Sequence, residues 1–212
     1  MAATRSLRAV EGGRFIADQD RRRYVHGRLF LRDVLADALL VDPSDVVIAV
    51  GPTGKPRLVP PSCLPPTDLR FNVSHSGDFY AVILSDGLEV GIDVEHVRDD
   101  IEWRDLAARY FAPAEVADLA ALPPDDQRLG FYRVWTRKEA YLKPSASAST
   151  VPLDGFRVSV GEPARLLSTD HDPSQFGRWS LESLDVPPGY VGARASKTLL
   201  QALLNPPSWR PQ

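Results

Sequence analysis

Residues 69–94 read Leu69-Arg70-Phe71-Asn72-Val73-Ser74-His75-Ser76-Gly77-Asp78-Phe79-Tyr80-Ala81-Val82-Ile83-Leu84-Ser85-Asp86-Gly87-Leu88-Glu89-Val90-Gly91-Ile92-Asp93-Val94. Leu69–Val73 and Phe79–Leu84 are apolar, β-branched and aromatic runs of strand length. The polar Ser74-His75-Ser76-Gly77-Asp78 between them reads as their turn. Asp86-Gly87 is a hairpin signal, since tight two-residue turns need positive φ and glycine supplies it. Leu88–Val94 then follows as a third strand. Strands in such close succession, joined by short turns, predict an antiparallel sheet.

Upstream, Tyr24, Leu31, Val34, Leu35 and Ala38 recur at helical spacing, predicting a helix over Asp20–Leu40 with Asp20 as its N-cap. One edge of that helix is basic, with Arg21, Arg22, Arg23, Arg28 and Arg32. Val46–Val50 reads as a strand, and Gly51–Pro56 as a turn carrying Lys55. Downstream the pattern becomes helical over Trp103–Tyr110, Pro113–Leu122 and Asp126–Leu142. It returns to strands at Phe156–Val160, Arg178–Leu184 and Val191–Ala195. Helices and strands in blocks imply an α+β fold. The predicted division is 1–98 and 99–204, followed by a proline-rich tail at 205–212.

With 212 residues, the chain is long enough to bury a core without staples. Its 43% hydrophobic and 25% charged residues are those of an ordinary globular protein, which excludes wholesale disorder. The single cysteine, Cys63, excludes an internal disulfide and a cysteine-built zinc site. A formal net charge of -3 argues against a dedicated nucleic-acid binder. Met1–Arg14 lacks the apolar region of a secretory signal, and no apolar stretch reaches bilayer length, so a cytoplasmic protein without membrane association is expected.

Three motifs carry chemistry. In Gly91-Ile92-Asp93-Val94-Glu95 the acids alternate with apolar residues, so a strand puts both carboxylates on one face and Ile92 and Val94 on the core side. Paired carboxylates suit a hard cation such as Mg²⁺, and equally a solvated acidic face on an edge strand. In Trp135-Thr136-Arg137-Lys138-Glu139-Ala140-Tyr141-Leu142-Lys143, steps of four place Phe131, Trp135, Glu139 and Lys143 on one helix face. The first two would pack and the last two reach a site, although an i,i+4 Glu–Lys pair is also an ordinary surface feature. Ser74-His75-Ser76 offers hydroxyls, an imidazole and turn N–H groups to a phosphate, or is simply a hairpin connection. Neither serine sits in a Gly-x-Ser-x-Gly elbow, and there is no phosphate-binding Gly-x-x-x-x-Gly-Lys loop.

Taken in order, Gly54-Lys55-Pro56, Phe71-Asn72-Val73-Ser74-His75-Ser76, Gly91-Ile92-Asp93-Val94-Glu95 and Trp135-x-x-Lys138-Glu139-Ala140-x-x-Lys143 resemble a 4′-phosphopantetheinyl transferase. The resemblance is to the large, monomeric, surfactin-synthetase-activating type. Gly27-Arg28-Leu29 and Pro152-Leu153 fit as well, so it spans about Arg14 to Ala195. It implies two similar α+β halves related by a pseudo-twofold axis, with coenzyme A in the cleft between them. It implies transfer of the 4′-phosphopantetheine arm to a serine of an apo acyl or peptidyl carrier protein, with release of adenosine 3′,5′-bisphosphate. Asp93, Glu95 and Glu139 would hold Mg²⁺, and Lys143 would reach a phosphate oxygen. Glu139 is the implied general base, with Glu115 as a second candidate. His75 and Arg28, with Arg23, match positions that bind the 3′-phosphate, and Lys55 and Ser74 match positions around the adenine and phosphates.

Two departures stand out. Ser145–Thr150 has no glycine where many relatives are glycine-rich, and the N-terminus is short. The altered loop keeps open a non-catalytic coenzyme A- or carrier-binding module. The paired acids keep open a coenzyme A phosphohydrolase. The implied partner is an acidic carrier domain, more in keeping with polyketide or nonribosomal-peptide synthesis than with fatty-acid synthesis.

Overall fold

The computed structural model describes residues 19–51, 54–59, 67–144, 151–170 and 172–198. Helix α1 (Gln19–Leu39) leads into strands β1 (Val47–Val50), β2 (Pro56–Val59), β3 (Leu69–Ser76), β4 (Phe79–Asp86) and β5 (Val90–His96). Helices α2 (Trp103–Tyr110), α3 (Pro113–Ala120) and α4 (Pro124–Leu142) follow, then β6 (Phe156–Val158), β7 (Leu166–Thr169), β8 (Trp179–Ser183) and β9 (Tyr190–Lys197). The fold is α+β, as expected. No described helix is long and apolar enough to cross a membrane. The Ser145–Thr150 segment, Cys63, the N-terminus and the tail lie outside the described residues.

The expected three-stranded meander does not form. β3 and β4 pair antiparallel up to Ser76↔Phe79, so the turn is only Gly77-Asp78, with Gly77 at φ +56. Ser74, His75 and Ser76 therefore lie on the strand and not in a turn. Their polar side chains disguised a strand that continues to its last ladder pair. β5 makes its ladder with β9, not β4, running antiparallel from Val90↔Ser196 to His96↔Tyr190. β8 pairs on the far side of β9, giving the order β5-β9-β8. The division expected at residue 98 thus separates β5 from its ladder partners, and the two halves share this sheet. β1–β2 and β6–β7 form separate hairpins. Both β2 and β7 were missed in the sequence; β2 begins at Pro56, and β7 is a short strand of four residues. Asp20 lies inside α1, which already includes Gln19, and does not cap it.

Two apolar clusters hold the elements. One joins Leu31, Leu35 and Ala36 of α1 to Val46 and to inward residues of β1–β4. The other surrounds α4 and is aromatic, with Phe111 stacked on Phe131 at 5.3 Å and Trp103, Tyr132 and Trp135 around them. α4 lies across β5 and β9. That contact is close because Gly91 has no side chain, and a Cβ there would collide with the Ala140 carbonyl and Pro144.

Candidate active site

β5 has a ladder partner on one edge, β3 on the other and α4 across one face. Asp93 is consequently 4% exposed, not part of a solvated acidic face. Its Oδ1 accepts hydrogen bonds from Ser74 Oγ at 2.9 Å and Lys143 Nζ at 2.7 Å. Its Oδ2 is buried without a hydrogen-bond partner. Burial pushes the Asp93 carboxyl above its ordinary range, against the pull of Lys143 and Ser74. Glu95, two residues on and half-buried, accepts from Ser76 Oγ at 2.8 Å.

Glu139 arrives from α4 and is 8% exposed. Phe131 and Trp135 on the same helical face are buried as expected, which fixes the rotation of the helix and aims Glu139 at β5. Burial and then the negative charge of Asp93 push the Glu139 carboxyl up to about 8; Lys143 opposes this and Glu95 adds to it. Lys143 follows the last turn of α4 and also donates to the Ile92 carbonyl at 2.8 Å. Lys55, from the β1–β2 connection, donates to the Lys143 carbonyl at 2.7 Å, tying the first hairpin to the end of α4. Burial holds the Lys55 ammonium below its usual value; Glu89 counteracts this and Lys143 adds to it.

Arg28 and His75 lie elsewhere, beside Tyr80 on β4, and Arg23 lies at the β3–β4 turn. The His75 ring centroid lies 5.7 Å from that of Tyr80. Burial raises the Tyr80 hydroxyl's pKa, and the nearby positive charge of Arg28 opposes it. Gly27 allows α1 to approach, since a Cβ there would stand 2.5 Å from the Tyr80 ring. Arg28 reaches the Ile48 carbonyl at 3.4 Å, and Arg23 pairs with Asp78 at 2.7 Å across the turn.

Two expected roles change. Ser74 was expected near the coenzyme's adenine and phosphates, but its hydroxyl is committed to Asp93 and to the Val94 N–H at 3.2 Å. Glu115 is not brought to the acidic cluster. It is 0% exposed, with Oε2 accepting the Ala112 N–H at 2.9 Å and pairing with Lys138 Nζ at 2.8 Å. Its Oε1 accepts the Val158 N–H at 2.8 Å. Both oxygens are thus engaged in joining α3, α4 and β6. The sequence reading gave Ser76 a place in a phosphate-binding turn and Asn72 no role of its own; both instead line the edge of β5.

As placed, no three His, Cys, Asp or Glu side chains among the described residues are arranged to hold a metal ion. The donor chemistry nevertheless suits a hard divalent cation. Asp93 presents a buried oxygen with no partner, and burial, with Asp93's charge acting on Glu139, pushes both carboxyls up despite Lys143.

Comparison with known proteins identifies the family. Residues 89–195 match the family described as the 4′-phosphopantetheinyl transferase superfamily, and residues 6–87 match 4′-phosphopantetheinyl transferase, N-terminal. A 4′-phosphopantetheinyl transferase from Bacillus subtilis is 33% identical over 82% of this chain and 75% of its own length. The Sfp transferase of Bacillus subtilis strain 168 is 30% identical over 84% of this chain and 75% of its own. The HetI transferase of a Nostoc species is 34% identical over 78% and 70%. A solved apo-ACPS structure overlaps 51% of this chain and 94% of its own at 16% identity, with a TM-score of 0.37. Through the two domain matches and these relatives, the chain belongs to the 4′-phosphopantetheinyl transferase superfamily.

Proposed function

We propose that Asp93, Glu95, Glu139 and Lys143 form the centre at which this chain moves the 4′-phosphopantetheine arm of coenzyme A onto a serine of an apo acyl or peptidyl carrier protein. The observation that carries this assignment is the crossing of α4 over β5, which brings Glu139 to Asp93 and Lys143 and leaves one buried Asp93 oxygen without a partner. A positioned carboxylate within reach of a hydroxyl is suited to take its proton.

In this reading Glu139 accepts the proton of the carrier serine. The serine oxygen forms a bond to the phosphorus bearing the pantetheine arm. The bridging P–O bond of the pyrophosphate breaks, and adenosine 3′,5′-bisphosphate leaves. Positioning and charge neutralisation dominate such a step. Lys143, released from Asp93 Oδ1, supplies a compact positive charge to a phosphate oxygen. Asp93, Glu95 and Glu139 would hold Mg²⁺, which supplies charge neutralisation at the pyrophosphate. Arg28 and His75, with Arg23, receive the 3′-phosphate, and Lys55 lies toward the other phosphates from the end of α4.

Intact-mass spectrometry of an apo carrier protein with coenzyme A and Mg²⁺ tests the assignment. A gain of one phosphopantetheine is expected, lost in EDTA and lost with Glu139→Gln. Normal turnover by Glu139→Gln would remove Glu139 from the chemistry. Release of adenosine 3′,5′-bisphosphate without a carrier would instead mark hydrolysis.

A further inference from the structure

β3 and β5 lie side by side without a main-chain ladder between them, and three β3 side chains take its place. Asn72 Oδ1 accepts the Ile92 N–H at 3.3 Å, Ser74 Oγ the Val94 N–H at 3.2 Å, and Ser76 Oγ the His96 N–H at 3.0 Å. Each rung joins residues 20 apart, so the two strands run parallel in strict register. Each serine then has a single remaining proton. Ser74 gives it to Asp93 at 2.9 Å and Ser76 gives it to Glu95 at 2.8 Å, in both cases to the residue 19 positions on.

We infer that Ser74 and Ser76 are positioning residues, which set the directions of the Asp93 and Glu95 carboxylates through a parallel side-chain ladder between β3 and β5. The inference rests on the proposed role of those acids and deepens it. The hydroxyl oxygen is pinned by a main-chain N–H, so its proton has one direction left. A hydrogen bond to an ionised acceptor is short and directional. Asn72 is the internal contrast, since it makes a rung but touches neither acid. His75, between the two serines, is exposed and lies against Tyr80 instead.

Mn²⁺ binding to the full chain, followed by electron paramagnetic resonance in the presence of coenzyme A, tests this without relying on turnover. The Mg²⁺ concentration for half-maximal carrier modification is measured beside it. Ser76→Ala is expected to weaken Mn²⁺ binding roughly 10-fold and to raise the Mg²⁺ requirement in step, the lower end of what losing a hydrogen-bonding neighbour of a metal-binding side chain costs. Ser76→Thr keeps the hydroxyl and is expected to restore both. Asn72→Ala is expected to lower the melting temperature while leaving Mn²⁺ affinity unchanged. Equal Mn²⁺ affinity in Ser76→Ala and the parent overturns the inference, as does an equal loss in Asn72→Ala, which would mark the ladder as structural only. If the parent binds Mn²⁺ and Ser76→Ala weakens it, but no carrier is modified, the positioning role stands and the transfer assignment falls. If carriers are modified and Ser76→Ala behaves as the parent, the reverse holds.

Discussion

Replacing Glu115 by glutamine separates a structural carboxylate from a catalytic one. Glu115 and Lys138 are both 0% exposed and pair at 2.8 Å. Lys138 also donates to the Leu153 and Phe156 carbonyls at 2.7 and 2.6 Å, and its ammonium lies 4.3 Å from the centre of the Phe156 ring. Glu115→Gln keeps the shape and one acceptor oxygen. It turns a donor toward a neighbourhood made of donors, and it leaves the Lys138 charge without its counter-charge. Removing one partner from a buried pair costs about 3–5 kcal/mol, against a total stability of about 5–15 kcal/mol. For a chain of this length each kcal/mol shifts the melting temperature by about 2–4 °C. The expected fall is therefore roughly 6–20 °C by calorimetry. Carrier modification assayed well below the new melting point should survive. The double variant Glu115→Leu/Lys138→Met should recover much of the loss, because packed apolar side chains replace buried ions at little cost. An unchanged melting temperature combined with lost transfer would refute this reasoning and make Glu115 the base.

Two further outcomes follow from the site. Folded Glu139 keeps its proton up to about 8, whereas its ordinary value is 4.5. Between those values the folded state binds more protons at Glu139 than the unfolded one, so this group's contribution to metal-free stability is fully present below 4.5 and is lost as pH rises toward 8. Melting curves in EDTA from pH 5 to 9 should show that decline and added Mg²⁺ should flatten it; a decline that Mg²⁺ leaves untouched would separate the acids from the cation. His75→Ala should reduce the preference for coenzyme A over 3′-dephospho-coenzyme A about 10-fold, the worth of one hydrogen bond to a charged group, and an unchanged ratio of kcat/KM values would move the 3′-phosphate away from His75.

Much of the site was legible because its chemistry is concentrated in local patterns. The four-residue step from Phe131 through Trp135 and Glu139 to Lys143 needs only helical geometry to be read, and the helix presents those residues as expected. The alternation of Asp93 and Glu95 on a strand was equally plain, but its environment was not. Period two says that two side chains share a face; it does not say what covers that face. Here β3 and α4 cover it, and a carboxylate expected at a solvated edge is buried with an unpartnered oxygen. Glu115 shows the same gap. Its residue type and place in the family pattern suited a base, and the sequence could not show the three partners that hold it.

What the sequence determined by itself was the α+β class, the two long helices, the acid-bearing motifs and the family, since each is written in short-range periodicity or in motif order. What only the tertiary structure decided was which strands pair and which polar groups meet. β5 joins β9 from the far end of the chain and meets β3 through side chains. Strand pairing depends on which distant segments bury their faces together, and a strand's local pattern is nearly the same whichever neighbour it takes. The protonation of Glu139 and the work of Ser74 and Ser76 follow from that pairing, because burial and proximity do not exist until the chain has closed on itself.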